Sequence, residues 1–251
     1  MLFGVRSDKG KVRQINEDSY CVITGHTDLP STFIIADGMG GHNSGEVASK
    51  MAVDFISSSL HQNPEMLSGN EGMPSLDRIS KVIIKLIEKA NAEVYANSLE
   101  QTINFGMGTT LILAMLCKNK LFIGHVGDSR VYTVKEGGME RVTTDHSFIE
   151  ELVRNGTLSR EEAERHPKKH LITRALGCAA DLVVDTYTTE LDSGNYLLMC
   201  TDGLTNMLSE DEIKDIILTK DNPEAACDEL VRCANEKGGE DNITVIVVKN
   251  D

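Results

Sequence analysis

Four aspartates stand at the ends of short apolar runs that have the length of β-strands. Three of them end a run and one precedes a run: Asp37 follows residues 33–36, Asp128 follows 122–127, Asp202 follows 197–201 and Asp241 precedes 243–248. In an antiparallel sheet the end of one strand lies beside the start of its neighbour, so these carboxylates can meet at one rim of a sheet. Each aspartate taken alone is equally compatible with a turn, because Asp-Gly is an ordinary turn dipeptide.

Carboxylates crowded at one rim repel each other, and this repulsion raises the pKa of each carboxyl group unless cations are bound. Divalent cations remove the repulsion. A site made only of oxygen ligands selects hard ions such as Mg²⁺ or Mn²⁺ over Zn²⁺. The four aspartates together therefore indicate a site for hard divalent cations.

Two further features favour a phosphate site. Arg13 stands five residues before Asp18, and its guanidinium fork matches two phosphate oxygens, although a surface ion pair is the alternative for an isolated arginine. Residues 38–45 form a glycine-rich turn, which allows the backbone to approach an ion or anion closely. This turn is not a P-loop, because no Gly-Lys-Ser/Thr follows, and Asn43 stands where a dinucleotide-binding turn has its third glycine.

The sequence pattern predicts that short strands and longer helices carry these residues. Hydrophobic periodicity predicts helices over residues 45–60, 75–101, 210–218 and 223–236. Strand patterns cover residues 3–6, 20–24, 32–36, 109–117, 120–126, 130–135, 182–190, 196–200 and 243–248. Strands and helices do not alternate regularly, so the order predicts an α+β sandwich of antiparallel sheets covered by helices. Residues 61–75 are interpreted as a surface loop.

Charge and cysteine content restrict the class of protein. The 251 residues include 25 basic and 39 acidic side chains, a net charge of −14, which argues against bulk attraction to nucleic acid or an anionic membrane. Neither a signal peptide nor a membrane-spanning run is apparent, and the six cysteines contain no Cys-x-x-Cys pair. These features predict a cytoplasmic protein with reduced thiols. Acids away from the strand ends, such as Glu150, Glu151 and Glu161, are expected on solvated helix faces.

The motifs around these residues occur in an order that resembles the metal-dependent protein phosphatase 2C family in its compact bacterial form. Each motif alone is weak evidence, whereas the ordered set is specific and spans nearly the whole chain. The matching segments are Arg13-x-x-Asn16-Glu17-Asp18, Asp37-Gly38-Met39-Gly40-Gly41-His42, Gly106-x-Gly108-Thr109-Thr110, Gly127-Asp128-Ser129-Arg130, Asp145-His146-Ser147, Thr173-Arg174-Ala175-Leu176-Gly177, Thr201-Asp202-Gly203-Leu204 and Asp241-Asn242-Ile243-Thr244.

The resemblance implies one catalytic domain over residues 1–251, folded as a four-layer α-β-β-α sandwich of two antiparallel sheets flanked by paired helices. It implies that Asp37 bridges two divalent cations, Mn²⁺ or Mg²⁺, and that the Gly38 carbonyl binds one of them. Asp202 and Asp241 would bind the other cation, and Asp128 would hold a third, weaker one.

The resemblance also implies roles beyond the metal ligands. Asp18 would orient a metal-bound water with help from Glu17, and Arg13 would grip the phosphate. His42 is the candidate proton donor to the leaving group, with a purely local hydrogen bond at a helix start as its alternative.

These roles predict a hydrolysis without a covalent phosphoenzyme. Two ions bridged by one carboxylate should lie about 3.5–4 Å apart and share a hydroxide that attacks phosphorus in line. The ions and Arg13 stabilise charge on the phosphoryl oxygens. A proton from His42 or from a metal-bound water assists the departing alkoxide.

Residues 145–177 match the family's flap, a variable segment beside the active site, and its basic side chains can attract a phosphopeptide. His166 and His170 are also spaced like a zinc pair, but Pro167 between them and the lack of further ligands speak against that interpretation.

The leading functional hypothesis is a monomeric phosphatase that acts on phosphoserine and phosphothreonine in proteins and opposes a bacterial Ser/Thr protein kinase. The alternatives are a regulatory phosphatase acting on an anti-sigma-factor antagonist, a small-molecule phosphoesterase, and a non-catalytic phosphoprotein-binding module. Degenerate members of the family lose metal-binding acids, whereas Asp37, Asp202 and Asp241 are all present here.

Overall fold

The strands of this protein form two antiparallel sheets. The computed structural model describes residues 1–27, 29–40, 44–67, 76–100, 106–164, 166–168 and 170–251. Within these ranges the strands are β1 (Leu2–Asp8), β2 (Asp18–Ile23), β3 (Ser31–Met39), β4 (Gly108–Thr109), β5 (Leu111–Cys117), β6 (Lys120–Val126), β7 (Arg130–Lys135), β8 (Gly138–Arg141), β9 (Asp185–Glu190), β10 (Tyr196–Cys200) and β11 (Ile243–Lys249). The first sheet has the order β1-β11-β10-β7-β8, and the second has the order β2-β3-β5-β6-β9 with β4 beside β3.

Helices cover the outer face of each sheet. They are α1 (Ser44–Gln62), α2 (Leu76–Glu100), α3 (Phe148–Arg154), α4 (Arg160–Glu164), α5 (Asp202–Thr205), α6 (Glu210–Thr219) and α7 (Pro223–Glu236). Helices α1 and α2 pack on the second sheet, while α6 and α7 pack on the first. The result is the predicted four-layer α-β-β-α sandwich, so the expected fold class is confirmed.

Strand β3 shows why the inner strands have continuous apolar sequences. Ile34 belongs to the core beneath α1 and α2, whereas Phe33 and Ile35 belong to the core between the two sheets. Successive side chains of a strand point to opposite faces, so a strand buried on both faces needs apolar residues at every position. The same alternation separates Val247 from Val248 in β11.

The helices on the first sheet begin at the residues that the sequence suggests. Ser209 and Glu212 form a reciprocal capping box at the start of α6. The Asn222 side chain accepts the N–H of Ala225 at the start of α7, and Pro223 occupies the first helical position. These local bonds satisfy backbone donors that the helix itself leaves unpaired.

The structure differs from the predicted elements at several places. Strand β8 is missing from the prediction, because its four residues are only partly buried and carry no apolar alternation. Strand pairing in β9 begins at Asp185 rather than at residue 182, since Leu182 and Val184 pack against the core beneath the helices before pairing starts. Of the predicted loop 61–75, residues 68–75 lie outside the described residues.

The expectation that Glu150 lies on a solvated helix face is wrong. Its side chain is buried, 8% exposed, and forms ion pairs with Arg141 and Arg160. A charged residue at the start of a helix carries no sequence signal that separates a solvated position from one beneath neighbouring arginines.

All six cysteines are free, as expected. Across the described ranges, no helix combines the length and the apolar composition needed to cross a membrane.

Candidate active site

The acidic residues gather at one end of the sandwich, and they come from both sheets rather than from one rim. Asp18 begins β2 and is the register partner of Asp37 near the end of β3, in the second sheet. Asp202 follows β10 and Asp241 precedes β11, and these two strands are neighbours in the first sheet. Asp128 lies in the connection from β6 to β7, which crosses between the sheets. The convergence was predicted correctly, but the single rim was not.

These residues surround a cleft of about 590 Å³. Seven residues singled out from the sequence line it, and they are Arg13, Glu17, Asp37, Gly38, Asp128, Asp202 and Asp241. Asp18 does not line the cleft but lies beside Asp37, as its register partner on β2, and is buried. His42 lies outside the described residues, as do its neighbours Gly41 and Asn43.

The glycines after Asp37 and Asp202 serve close backbone approach rather than turns. Gly38 lies inside β3, and a Cβ there would come within 2.1 Å of the Gly45 carbonyl oxygen. A Cβ on Gly203, in helix α5, would come within 2.0 Å of the Asn242 carbonyl oxygen. Only glycine fits either position, so the turn interpretation of these two Asp-Gly pairs does not apply.

Asp18 is a buried carboxyl group that the protein satisfies only in part. Its Oδ2 accepts the hydroxyl of Thr201 at 3.0 Å. Its Oδ1 is buried and has no hydrogen-bond partner among the described residues. Burial raises the pKa of Asp18 to about 7, against the lowering effect of the nearby Thr244 and Thr201 hydroxyls.

The Asp37 carboxylate is repelled by the neighbouring aspartates. Burial is the largest cause that raises its pKa well above the ordinary value, followed by the charges of Asp18, Asp202, Asp128 and Asp241. Burial, and then the charge of Asp202, raises the pKa of Asp128 to about 8. The protein has therefore collected carboxylates where their charged forms are unfavourable without added cations.

Arg13 and Glu17 border this cluster in different ways. Nη2 of Arg13 donates to Oδ2 of Asp241 at 2.7 Å, while half of the arginine side chain remains exposed. Burial raises the pKa of the Glu17 carboxyl group, and the backbone N–H groups of Gly45 and Glu46 at the start of α1 lower it in part. The Glu17 carbonyl accepts the N–H of Gly38 at 3.1 Å, so Glu17 holds the start of α1 against the end of β3.

The oxygen donors of the cleft fit a hard cation that keeps part of its water shell. Among the described residues, no group of three or more acidic, histidine or cysteine side chains forms a complete metal-binding site. Mg²⁺ keeps several waters and binds through one or two carboxylates, so an open arrangement of oxygen donors suits such an ion. The unpartnered Oδ1 of Asp18 and the mutual repulsion around Asp37 fit added cations as well. By contrast, His166 and His170 find no third ligand in the described part of the chain.

Several polar contacts of the site were missed by sequence reasoning. Nδ2 of Asn206 donates to Oδ2 of Asp202 at 3.0 Å, and the Thr110 hydroxyl accepts the N–H of Asp37 at 3.0 Å. Asn206 stands four residues after Asp202, one helical turn on, which was a readable signal. The contact between Thr201 and Asp18 joins residues 183 positions apart, and spacing carries no signal for it.

Residues 145–177 reach the cleft through His170 and Ile172. Two short helices, α3 and α4, lie within this segment. A β-bridge between Ser147 and Ile172 closes its base, beside a hydrogen bond from the Phe148 N–H to the Leu171 carbonyl at 2.8 Å. The segment is therefore an excursion from the sandwich whose returning end borders the acidic cleft.

Comparison with known proteins agrees with this geometry. A family model described as protein phosphatase 2C matches residues 9–244. The serine/threonine phosphatase stp of Listeria monocytogenes is 40% identical over 248 residues, covering 98% of this chain and 94% of the relative. The structure of serine/threonine phosphatase Stp1 from Staphylococcus aureus is 31% identical, covers 100% of this chain and 96% of that chain, and superposes with a TM-score of 0.91.

A second solved structure bears on the metal. The catalytic domain of serine threonine protein phosphatase PstP, in complex with two manganese ions, is 31% identical and has a TM-score of 0.80. The match covers 99% of this chain and 98% of that chain. From the family match, the sequence relatives and the shared architecture, the chain belongs to the protein phosphatase 2C family.

Proposed function

We propose that this protein removes phosphate from phosphoserine and phosphothreonine residues of other proteins, with divalent cations bound in the acidic cleft. The protein is a serine/threonine phosphatase and hence a phosphoric monoester hydrolase. One observation carries the proposal in this structure. Asp37 shares a cleft with Asp128, Asp202 and Asp241, with Arg13 at its border, which combines cation ligands with a group that binds phosphate.

The proposed cation ligands are oxygen donors only. Asp37, the Gly38 carbonyl, Asp202 and Asp241 would hold the cations, and Asp128 would hold a further, weaker one. Mn²⁺ and Mg²⁺ suit such donors, and the two manganese ions of the related PstP structure support the choice. Bound cations of this kind lower the pKa of a coordinated water and stabilise negative charge on phosphoryl oxygens.

Arg13 is the proposed phosphate-binding residue. Its ion pair with Asp241 uses Nη2 and keeps the guanidinium at the border of the cleft, and the exposed half of the side chain leaves further N–H groups for a phosphate. Because Asp241 and Arg13 touch, the same contact that holds a proposed cation ligand also orients the arginine.

Asp18 and His42 are the proposed proton-handling residues. Asp18 would orient a metal-bound water, and its unpartnered Oδ1 is the acceptor that such a water could use. His42 donates a proton to the leaving alkoxide, a role supported by its position in the Asp37–His42 motif. Glu17 supports the site indirectly by joining Gly38 to the start of α1.

The wider setting follows from charge and chemistry. We propose a monomeric cytoplasmic enzyme that forms one domain over residues 1–251, opposes a Ser/Thr protein kinase and uses residues 145–177 as a flap beside the substrate. The six free cysteines are consistent with a reducing compartment, and the net charge of −14 disfavours nucleic acid as a partner. Phosphorylated proteins can still bind despite the negative net charge, because the cations and Arg13 make the cleft locally attractive to phosphate.

The decisive assay compares phosphopeptides with small phosphate esters in the presence of Mn²⁺, Mg²⁺ or a chelator. We expect turnover of phosphoserine and phosphothreonine peptides with either metal and none with the chelator. Turnover confined to small esters would identify a small-molecule phosphoesterase. Absence of metal-dependent turnover on every substrate would favour a binding module.

Substitution of Asp202 tests the cation assignment. Asp202→Asn should lower kcat/KM by about a hundredfold or more, since even residues that only support a metal ligand contribute ten- to a hundredfold. The matched control is Asp221→Asn, which makes the same change at an exposed aspartate and should leave activity intact. Near-wild-type turnover of Asp202→Asn at saturating metal would remove Asp202 from the site.

A further inference from the structure

His146 joins the loop that carries Asp128 to both ends of the 145–177 segment. The backbone N–H of His146 donates to the Gly127 carbonyl at 2.8 Å, and its Nδ1 accepts the Gly127 N–H at 3.0 Å. At the other end of the segment, the N–H of Thr173 donates to the His146 carbonyl at 2.8 Å. The histidine is buried, 7% exposed. Both polar groups of Gly127 are therefore held by one residue, directly beside Asp128.

The orientation of the His146 ring is itself determined by neighbours. Nε2 lies 3.1 Å from Oδ2 of Asp185, and Oδ1 of Asp185 accepts Nη1 of Arg174 at 2.7 Å. Nη1 of Arg174 also lies 3.1 Å from Nε2 and donates to the Val183 carbonyl. Because Nδ1 accepts from Gly127, the ring proton belongs on Nε2, where Asp185 accepts it.

The far side of the same loop is tied to Asp37. The Thr110 hydroxyl lies 2.8 Å from the Ser129 hydroxyl and accepts the Asp37 N–H at 3.0 Å. Gly127 has a φ of +111°, and a Cβ there would lie 2.5 Å from the Cβ of Thr110, so its peptide has little freedom to move. Asp128 thus stands between two anchors, the hydroxyl pair toward β3 and His146 toward the 145–177 segment.

We propose that His146 is a positioning residue whose Nδ1 fixes the Gly127 peptide and thereby orients the Asp128 carboxylate, as a cation ligand, toward the cleft that it shares with Asp37. This inference rests on the proposed function, because it uses the assignment of Asp128 as a cation ligand. It adds that the base of the 145–177 segment and the proposed Asp128 cation site form one unit, connected through the backbone and the ring of His146.

Two amide variants of His146 separate its two nitrogens. In His146→Asn, the side-chain oxygen can take the place of Nδ1 and still accept the Gly127 N–H, whereas Asp185 is out of reach. In His146→Gln, the longer side chain reaches toward Asp185 and leaves Gly127 without its acceptor. The measurement is a calorimetric titration of each purified full-length protein with Mn²⁺ alone, and Asp128→Asn identifies the binding step that belongs to Asp128.

We expect His146→Gln to bind Mn²⁺ at the Asp128 step about tenfold more weakly, a factor that equals about 1.4 kcal/mol, with the other steps unchanged. His146→Asn should stay within about twofold of wild type. Asp185→Ala, which removes the partner of Nε2 but leaves Gly127 untouched, should weaken the same step by about threefold.

Different outcomes separate this inference from the proposed function. If both His146→Gln and Asp185→Ala bind like wild type, or if the asparagine variant loses as much affinity as the glutamine variant, the inference is overturned. Wild-type protein that binds no Mn²⁺ would contradict the proposed function instead. Melting temperatures without metal show whether a variant has lost its fold or only the positioning of Asp128. If His146→Gln does not fold, Mn²⁺ binding by Asp185→Ala tests the inference.

Discussion

Two groups of buried acids in this protein are neutralised in different ways. In the ion network beside α3, Asp145 accepts Nε and Nη2 of Arg130, and Glu150 contacts Arg141 and Arg160. In the cleft, Asp241 pairs with Arg13. Within the described ranges, neither the other cleft acids nor Asp18 beside Asp37 form an ion pair with an arginine or a lysine, and those cleft acids are Asp37, Asp128 and Asp202. The side chains that donate to Asp18 and Asp202 there are uncharged hydroxyl and amide groups.

The acids of the ion network and the acids of the cleft serve different purposes. Arginine forks satisfy the acids of the ion network within the protein, and Asp145 in turn raises the pKa of the Arg130 guanidinium. In the cleft, burial and mutual repulsion raise the pKa of Asp37, so the charged cluster needs cations from outside. The ion network is a structural feature that is complete without a ligand, whereas the cleft is built to be completed by one.

Removing a cleft acid should therefore abolish function and spare the fold. Asp37→Asn is expected to lower kcat/KM by more than about a hundredfold, because a proposed cation ligand is lost. Without metal, the free energy of unfolding should rise, because the buried charge of Asp37 and its repulsion with the neighbouring aspartates are removed. Urea unfolding in a chelator measures the second effect, and a loss of several kcal/mol would show that Asp37 is a structural acid.

Removing an acid of the ion network should do the reverse. Asp145→Asn should lower the free energy of unfolding by about 3–5 kcal/mol, because Arg130 is left with an uncompensated charge beside a side chain that is only 6% exposed. The matched control is Glu151→Gln, an exposed acid in α3, which should change the stability by less than about 0.5 kcal/mol. If urea unfolding gave both variants the same stability, Asp145 would not be a structural acid, and the ion network would not differ from the cleft in this respect.

The sequence predicted the fold and most of the site because both leave local signals. Apolar runs identify the buried strands, and Asp37 and Asp202 stand next to such runs with a glycine that a close approach requires. The contacts that complete the site join distant parts of the chain. Thr201 with Asp18, and His146 with Gly127, depend on how the sheets and the 145–177 segment are placed. Glu150 shows the same limit, since its arginine partners come from β8 and α4.

The most direct test of the central claim, that the cleft requires added cations, is the melting temperature at pH 6.5 and pH 8 with and without Mn²⁺. Burial and repulsion raise the pKa of Asp18 to about 7 and of Asp128 to about 8, so without metal the folded protein holds protons that the unfolded chain has released. The unfolded state then binds fewer protons than the folded state, and stability falls as pH rises through this window.

We predict that the metal-free protein melts lower at pH 8 than at pH 6.5, and that Mn²⁺ raises the melting temperature more at pH 8. The difference between the two Mn²⁺ effects should reach about 3 °C, the shift that corresponds to about 1 kcal/mol in a protein of this size. A metal-free melting temperature that rises from pH 6.5 to pH 8, together with an equal Mn²⁺ effect at both values, would show that the acidic cleft does not require added cations.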